Sequence, residues 1–132
     1  MASRHAMQRE ISPAELGLNA ATGLDAATTN SNSIDCSGFN QLTLEIFLDR
    51  GNGTTVTFQI ETSPDNSTFH LLQSSAVSSG TATPSDLTYS KATAGDKLFV
   101  VDMPVNYDFL RVANITAGST DAITVTARLG KI

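Results

Sequence analysis

The sequence predicts an all-β fold, an antiparallel β-sandwich or jelly-roll-like domain of about eight strands with an extended N-terminal arm. Three observations carry this. Apolar and polar residues alternate with a period of two through most of residues 34–132, as strands with one buried face require. Turn-forming residues separate the alternating runs at spacings of 8–14 residues, with no helix-period window between them, so βαβ units are excluded. Finally, only 16% of the residues are charged, whereas Ser and Thr fill 31 of the 132 positions. A helical bundle needs Glu, Lys, Leu and Ala on its surfaces. A disordered chain lacks organised runs of Val, Ile, Leu and Phe.

Residues 1–33 have a different texture, with Ile11 as their sole Val or Ile. Ser12-Pro13-Ala14-Glu15 fits a capping box: Ser12 at the N-cap, Pro13 where its missing N–H costs nothing, and Glu15 reaching back. Leu16 continues the turn and Gly17 ends it, which predicts a single helical turn. From Leu18 to Ser33 the chain is mainly Ala, Thr, Asn and Ser. Such a segment buries too little apolar area to offset its own ordering entropy. It orders only against the body, a second copy or another protein. The chain therefore divides into an arm, residues 1–33, and a sandwich, residues 34–132.

Within the sandwich, Ile34-Asp35-Cys36 is a short strand. Leu42, Leu44, Ile46 and Leu48 alternate with Thr43, Glu45 and Phe47, and Asn52-Gly53 turns the chain. Val56, Phe58 and Ile60 follow in the same period, up to the turn Ser63-Pro64-Asp65-Asn66. Residues 68–73 form a short strand, 74–86 read as a long Ser/Gly/Thr loop, and Leu87 and Tyr89 mark another strand. Lys97 to Met103 is apolar on both faces, Phe109 to Ile115 is mixed, and 117–121 turn into the run Ile123, Val125, Ala127, Leu129. The expected core is Leu42, Leu44, Ile46, Val56, Phe58, Ile60, Val100, Val125 and Leu129.

Composition narrows the function. The formal net charge is −5, and the eight Lys and Arg residues are scattered singly, whereas nucleic-acid binding needs a basic stripe. No apolar run approaches the roughly 18 residues that span a membrane, and the N-terminus has no apolar signal-peptide core. The expected site of synthesis is a cytoplasm. One cysteine, Cys36, cannot form an internal disulfide and reads as a small buried hydrophobe. The three Asn-x-Ser/Thr triplets read as chance in a Ser/Thr-rich chain.

Catalytic groupings are poor. His5 and His70 are far apart in sequence, no metal-ligand spacing occurs, and Gly-x-Ser-x-Gly, GxGxxG and P-loop patterns are missing. Asp96, Asp102, Asp108 and Asp121 lie near strand ends and could gather around calcium, but solvated loop charges explain them as well. No cofactor and no enzymatic activity are expected. Sugar binding rests on Tyr89 and Tyr107, because there is no Trp.

The informative oddity is apolar residues on the wrong face. Phe47 lies opposite the Leu42, Leu44 and Ile46 face, and Leu98 to Met103 is apolar on both sides. A sheet with one wet face does not need this. Phe47, Phe99, Val101, Tyr107 and Phe109 are therefore candidate interface residues, joined by Ile11, Leu16 and Leu18 as apolar contacts of the arm. The arm folding over this face is an equally good explanation.

The segment Ser63-Pro64-Asp65-Asn66-Ser67-Thr68-Phe69 resembles the S-x-D-G-x-x-[WF] turn of small β-sandwich structural proteins of tailed bacteriophages, with Asn66 in place of Gly. Ile34-Asp35-Cys36-Ser37-Gly38-Phe39 resembles their opening I-D-x-S-G-[YF] strand. Residues 107–112, Gly118-Ser119-Thr120 and 123–126 resemble their final hairpin. The resemblance implies a virion protein on the capsid surface. It would be a decoration (cement) protein that clamps the major capsid protein or other virion proteins, often as a homo-oligomer, dimer or trimer. A tail or neck component and a carbohydrate-binding module are the alternatives.

Overall fold

The computed structural model describes residues 7–19, 30–50, 55–91, 95–116 and 121–131. Residues 1–6 and 20–29 of the expected arm, the Asn52-Gly53 turn and residues 117–120 of the last turn lie outside that set.

Eleven strands and one helical turn are described. Eight match the expected strands: β2 (Ile34–Asp35), β3 (Gln41–Arg50), β4 (Val56–Ser63), β5 (His70–Leu71), β8 (Thr88–Lys91), β9 (Gly95–Pro104), β10 (Phe109–Thr116) and β11 (Ala122–Lys131). Three were not anticipated: β1 (Met7–Ile11), β6 (Gln73–Ser78) and β7 (Thr81–Asp86). One sheet has the order β1-β11-β3-β9. The other runs β2-β10-β4-β5, with β8 also on β4, and β6 pairs with β7 as a separate hairpin. Every pairing is antiparallel, as a sandwich of hairpins demands.

The core lies between the sheets. Leu42, Leu44, Ile46 and Leu48 of β3 and Ile123, Val125, Ala127 and Leu129 of β11 are buried from one side. Val56, Phe58, Ile60, Leu110, Val112 and Ile115 are buried from the other. Burying one such large side chain contributes about 1.5–3 kcal/mol. At one end the sheets meet through three rings. Phe58 stacks on Tyr89 at 4.9 Å, and Phe99 sits edge-on to both. Strand β10 keeps its apolar residues inward by a bulge between Ala113 and Thr116, where Asn114 takes the left-handed φ of 53° that Asn tolerates.

Two expectations need correction. Val100 was expected in the core, yet it is 57% exposed. In β9 it is Phe99, Val101 and Met103 that pack against the core, because the register sets Phe99 opposite Ile46 and Val101 opposite Leu44. Ile11, Leu16 and Leu18, expected to reach a partner, are buried in this chain's own core at 4%, 1% and 1% exposure.

The N-terminal segment explains that burial. β1 pairs with β11 from Met7↔Lys131 to Ile11↔Ala127. The expected helical turn, α1 (Pro13–Leu16), follows, with the Ser12 Oγ accepting from Glu15 N–H and Gly17 closing it at φ 75°. Val125 N–H then donates to Leu18 O at 2.9 Å, so the chain returns to β11. Asn32 N–H donates to Leu16 O while Ser31 N–H donates to Val112 O. Residues 12–18 and 31–32 thus bridge the two sheets along one side of the sandwich.

Candidate interaction surface

The outer face of the β1-β11-β3-β9 sheet carries the residues that alternation leaves outside. Cross-strand partners share a face, so Phe47 is paired with Leu98, Glu45 with Val100 and Thr43 with Asp102. Phe47, Leu98 and Val100 are 39%, 51% and 57% exposed. They form an apolar centre two strands wide at the β9 edge. Beside it, Arg128 is paired with both Glu45 and Glu10, and the Thr43 hydroxyl donates to Asp102.

Charge on this face is unbalanced. Asp49 and Asp96 are direct cross-strand partners. The hydrogen bond and charge of Asp96, then slight desolvation and the charge of Asp121, raise the Asp49 carboxyl above its usual range. Asp96 and Asp121 of the four expected strand-end acids thus converge. Asp102 and Asp108 are elsewhere, and among the described residues no group of three His, Cys, Asp or Glu side chains could hold a metal.

The other interface candidates are not brought together. Phe99 and Val101 face the core from β9, and Tyr107 packs against it with its hydroxyl donating to Met103 Sδ. Phe109 is half-buried beside Ser63 and Asp35 on the second sheet. From sequence Leu98 stands only within the doubly apolar run, and Val100 is assigned to the core. Their signal was the doubly apolar run, whose phase only the β3 register decides.

Packing accounts for Cys36 and Tyr107 but not for His70. Cys36 is buried, and burial, then the charges of Asp35 and Asp108, push its thiol up to about 12, which favours the protonated form. Tyr107 is likewise pushed up to about 12 by burial and by Cys36. His70 is exposed in an open groove of about 470 Å³ lined also by Glu61, Phe69 and Asp86. There Glu61 binds Arg111 at 2.8 Å, Arg111 lies over the Phe69 ring at 3.8 Å, and Asp86 accepts from Gln73.

The turn motifs behave as their chemistry requires. Asp65 accepts from Ser67 and Thr68 N–H and from the Ser63 hydroxyl. The Thr68 and Ser67 N–H groups, more than the Ser63 hydroxyl, hold its carboxyl below the usual range. Asn66 holds the glycine-like φ of 59°. Asp35 accepts from Ser37 N–H, which lowers its pKa, and Gly38 takes φ 84°.

No family model and no curated protein matches the chain. Among solved structures, the crystal structure of the SPBc2 prophage-derived protein YomS is similar. The two share a TM-score of 0.53 and 14% identity, over 93% of this chain and 92% of that one. At that identity the likeness is one of fold: an all-β sandwich shared over nearly the whole of both chains.

Proposed function

We propose that this chain is a non-enzymatic structural protein of a tailed-bacteriophage particle, specifically a capsid decoration protein that binds the assembled head. The observation that carries the reading is the exposed apolar centre of Phe47, Leu98 and Val100 on an otherwise polar sheet face. Scattered surface hydrophobes need no explanation, but a contiguous group on a sheet edge marks a contact surface. The fold likeness to a prophage-derived protein and the turn motifs at 34–39 and 63–69 support the phage setting. The mechanism is mass action: a protein that binds the assembled lattice and not its free subunits stabilises the lattice. Repetition over one particle multiplies modest affinities.

The test uses particles assembled without the chain. Added protein is expected to co-sediment with heads, occupy symmetric positions by cryo-electron microscopy and raise their disruption temperature. Binding confined to tails or necks would shift the assignment to a tail component, and no binding to any particle would reject it. Sugar binding is less well supported, because Tyr89 is stacked on Phe58 and Tyr107 is half-buried against the core.

A further inference from the structure

We infer that the β9 edge and the apolar centre beside it receive an extended segment of a partner protein, one with alternate apolar side chains flanked by Lys or Arg. This rests on the reading of the chain as a contact protein and names the chemistry of what it contacts.

β9 is ten residues long and pairs along its whole length with β3. Among the described residues no strand pairs with its other side. Long edges are normally blunted by bulges, proline or lysine. Here Pro104 stands at the strand's end and Lys97 near its start. The β3–β9 register runs without a shift from Gln41↔Pro104 to Arg50↔Gly95. The stretch 98–103 is left as a regular template whose outward side chains begin with Leu98 and Val100, both more than half exposed. An added strand would take main-chain hydrogen bonds from the edge and cover those side chains with its own alternate residues.

Charge chooses the occupant. The outward positions of this sheet include five carboxylates, Glu10, Glu45, Asp49, Asp96 and Asp102, against one guanidinium, Arg128. Arg128 is shared by Glu10 and Glu45, and Asp49 and Asp96 oppose each other directly. A second copy placed edge to edge would set two anionic faces side by side in one sheet. For example, a two-fold axis through Phe99 would set Leu98 against Val100, which suits both, but Asp96 against Asp102. Like charges directly opposite are destabilising. A basic flank on a different protein relieves the Asp49–Asp96 repulsion instead and steers the encounter.

The experiment follows backbone amide shifts of the isotopically labelled full chain by NMR. It is titrated with a short Val/Thr-alternating peptide ended by lysines, and with the same peptide ended by glutamates. The lysine peptide is expected to bind at least tenfold more tightly and to perturb residues 98–103 and Phe47. That advantage should shrink as ionic strength rises and the Debye length shortens. Leu98→Lys and Val100→Lys, which replace exposed side chains and leave the core intact, should each weaken it about tenfold. The double variant D96N/D102N should weaken it several-fold while leaving the apolar centre in place. Equal binding of the two peptides, or perturbation confined to another surface, overturns the inference. So does a sedimentation measurement showing a wild-type dimer that V100K dissociates, which would assign the edge to a second copy. The same variants separate this inference from the proposed function. If the wild type and V100K bind particles equally, the edge is not the contact and the function stands. If the wild type binds no particle while the peptide results hold, the function falls and the edge remains a site for a basic partner strand.

Discussion

Residues 7–19 and residues 73–86 are both short and begin as strands, yet they have opposite fates. In the first, β1 adds to β11, and Ile11, Leu16 and Leu18 drop into the core. In the second, β6 pairs with β7 around the Ser79-Gly80 turn, every strand residue is exposed, and Val77 is 72% exposed. Among large apolar residues the first carries Met7, Ile11, Leu16 and Leu18, the second only Val77. Position adds to that difference. β1 completes an existing sheet, so its backbone bonds are gained together with the burial of Ile11 and, just after the strand, of Leu16 and Leu18. The hairpin finds only itself, and a two-stranded hairpin alone is marginal in water.

The largest expected contrast is in core truncation. Leu16→Ala or Leu18→Ala should cost about 2–5 kcal/mol in urea unfolding, whereas Val77→Ala should stay within about 0.5 kcal/mol. Similar losses at all three positions would break the comparison. Removing residues 7–18 would, for the same reason, destabilise the sandwich.

Glycine offers a finer test, because Gly17 and Gly80 share nearly the same left-handed φ, 75° and 78°. An alanine is strained at both by about 1–2 kcal/mol. Gly17→Ala should lower global stability by that amount, because its turn is tied to the core through Leu16 and Leu18. Gly80→Ala should speed amide exchange in β6 and β7 and leave the global midpoint nearly unchanged, because the hairpin opens locally. In the wild type, β1 amides facing β11 should exchange far more slowly than those of the hairpin.

The smallest effects are in charge. Asp65 has its pKa lowered in the folded chain. It therefore contributes stability above its unfolded value, and that contribution is lost as pH falls below 3.8, the ordinary value. Asp49 is shifted the other way. Its contribution is full below 3.8 and is lost as pH rises through the raised folded value. D65N should thus be destabilising at neutral pH and nearly neutral in strong acid. D49N should be stabilising at neutral pH, with the gain vanishing in acid. Thermal melts across that pH range would show the opposite slopes.

Much of the architecture was legible because alternation is a local property. β3, β4 and β11 each expose one apolar face in the sequence, and each is buried on that face. The helical turn was legible from Ser12, Pro13 and Gly17, and the Asp65 turn from its own side-chain chemistry. β1 was not, because Met7-Gln8-Arg9-Glu10 has no alternation to read, and its strand conformation comes from β11 beside it. The β6–β7 hairpin was hidden by uniform Ser and Thr, although Ser79-Gly80 is a turn dipeptide. In the candidate surface, Phe47 stood out as an apolar residue in a polar phase. Leu98 and Val100 did not, because both phases of β9 are apolar.

The sequence by itself therefore determined the fold class, eight of the strands, the capped turn and the Asp65 turn, since each depends on neighbours within a few residues. Tertiary structure decided which phase of β9 faces outward, what becomes of Ile11, Leu16 and Leu18, and where acids from different strands collect. Those outcomes depend on which strand lies alongside. Register across a ladder is set by the packing of both sheets at once, and a one-residue slip would send every side chain to the other face.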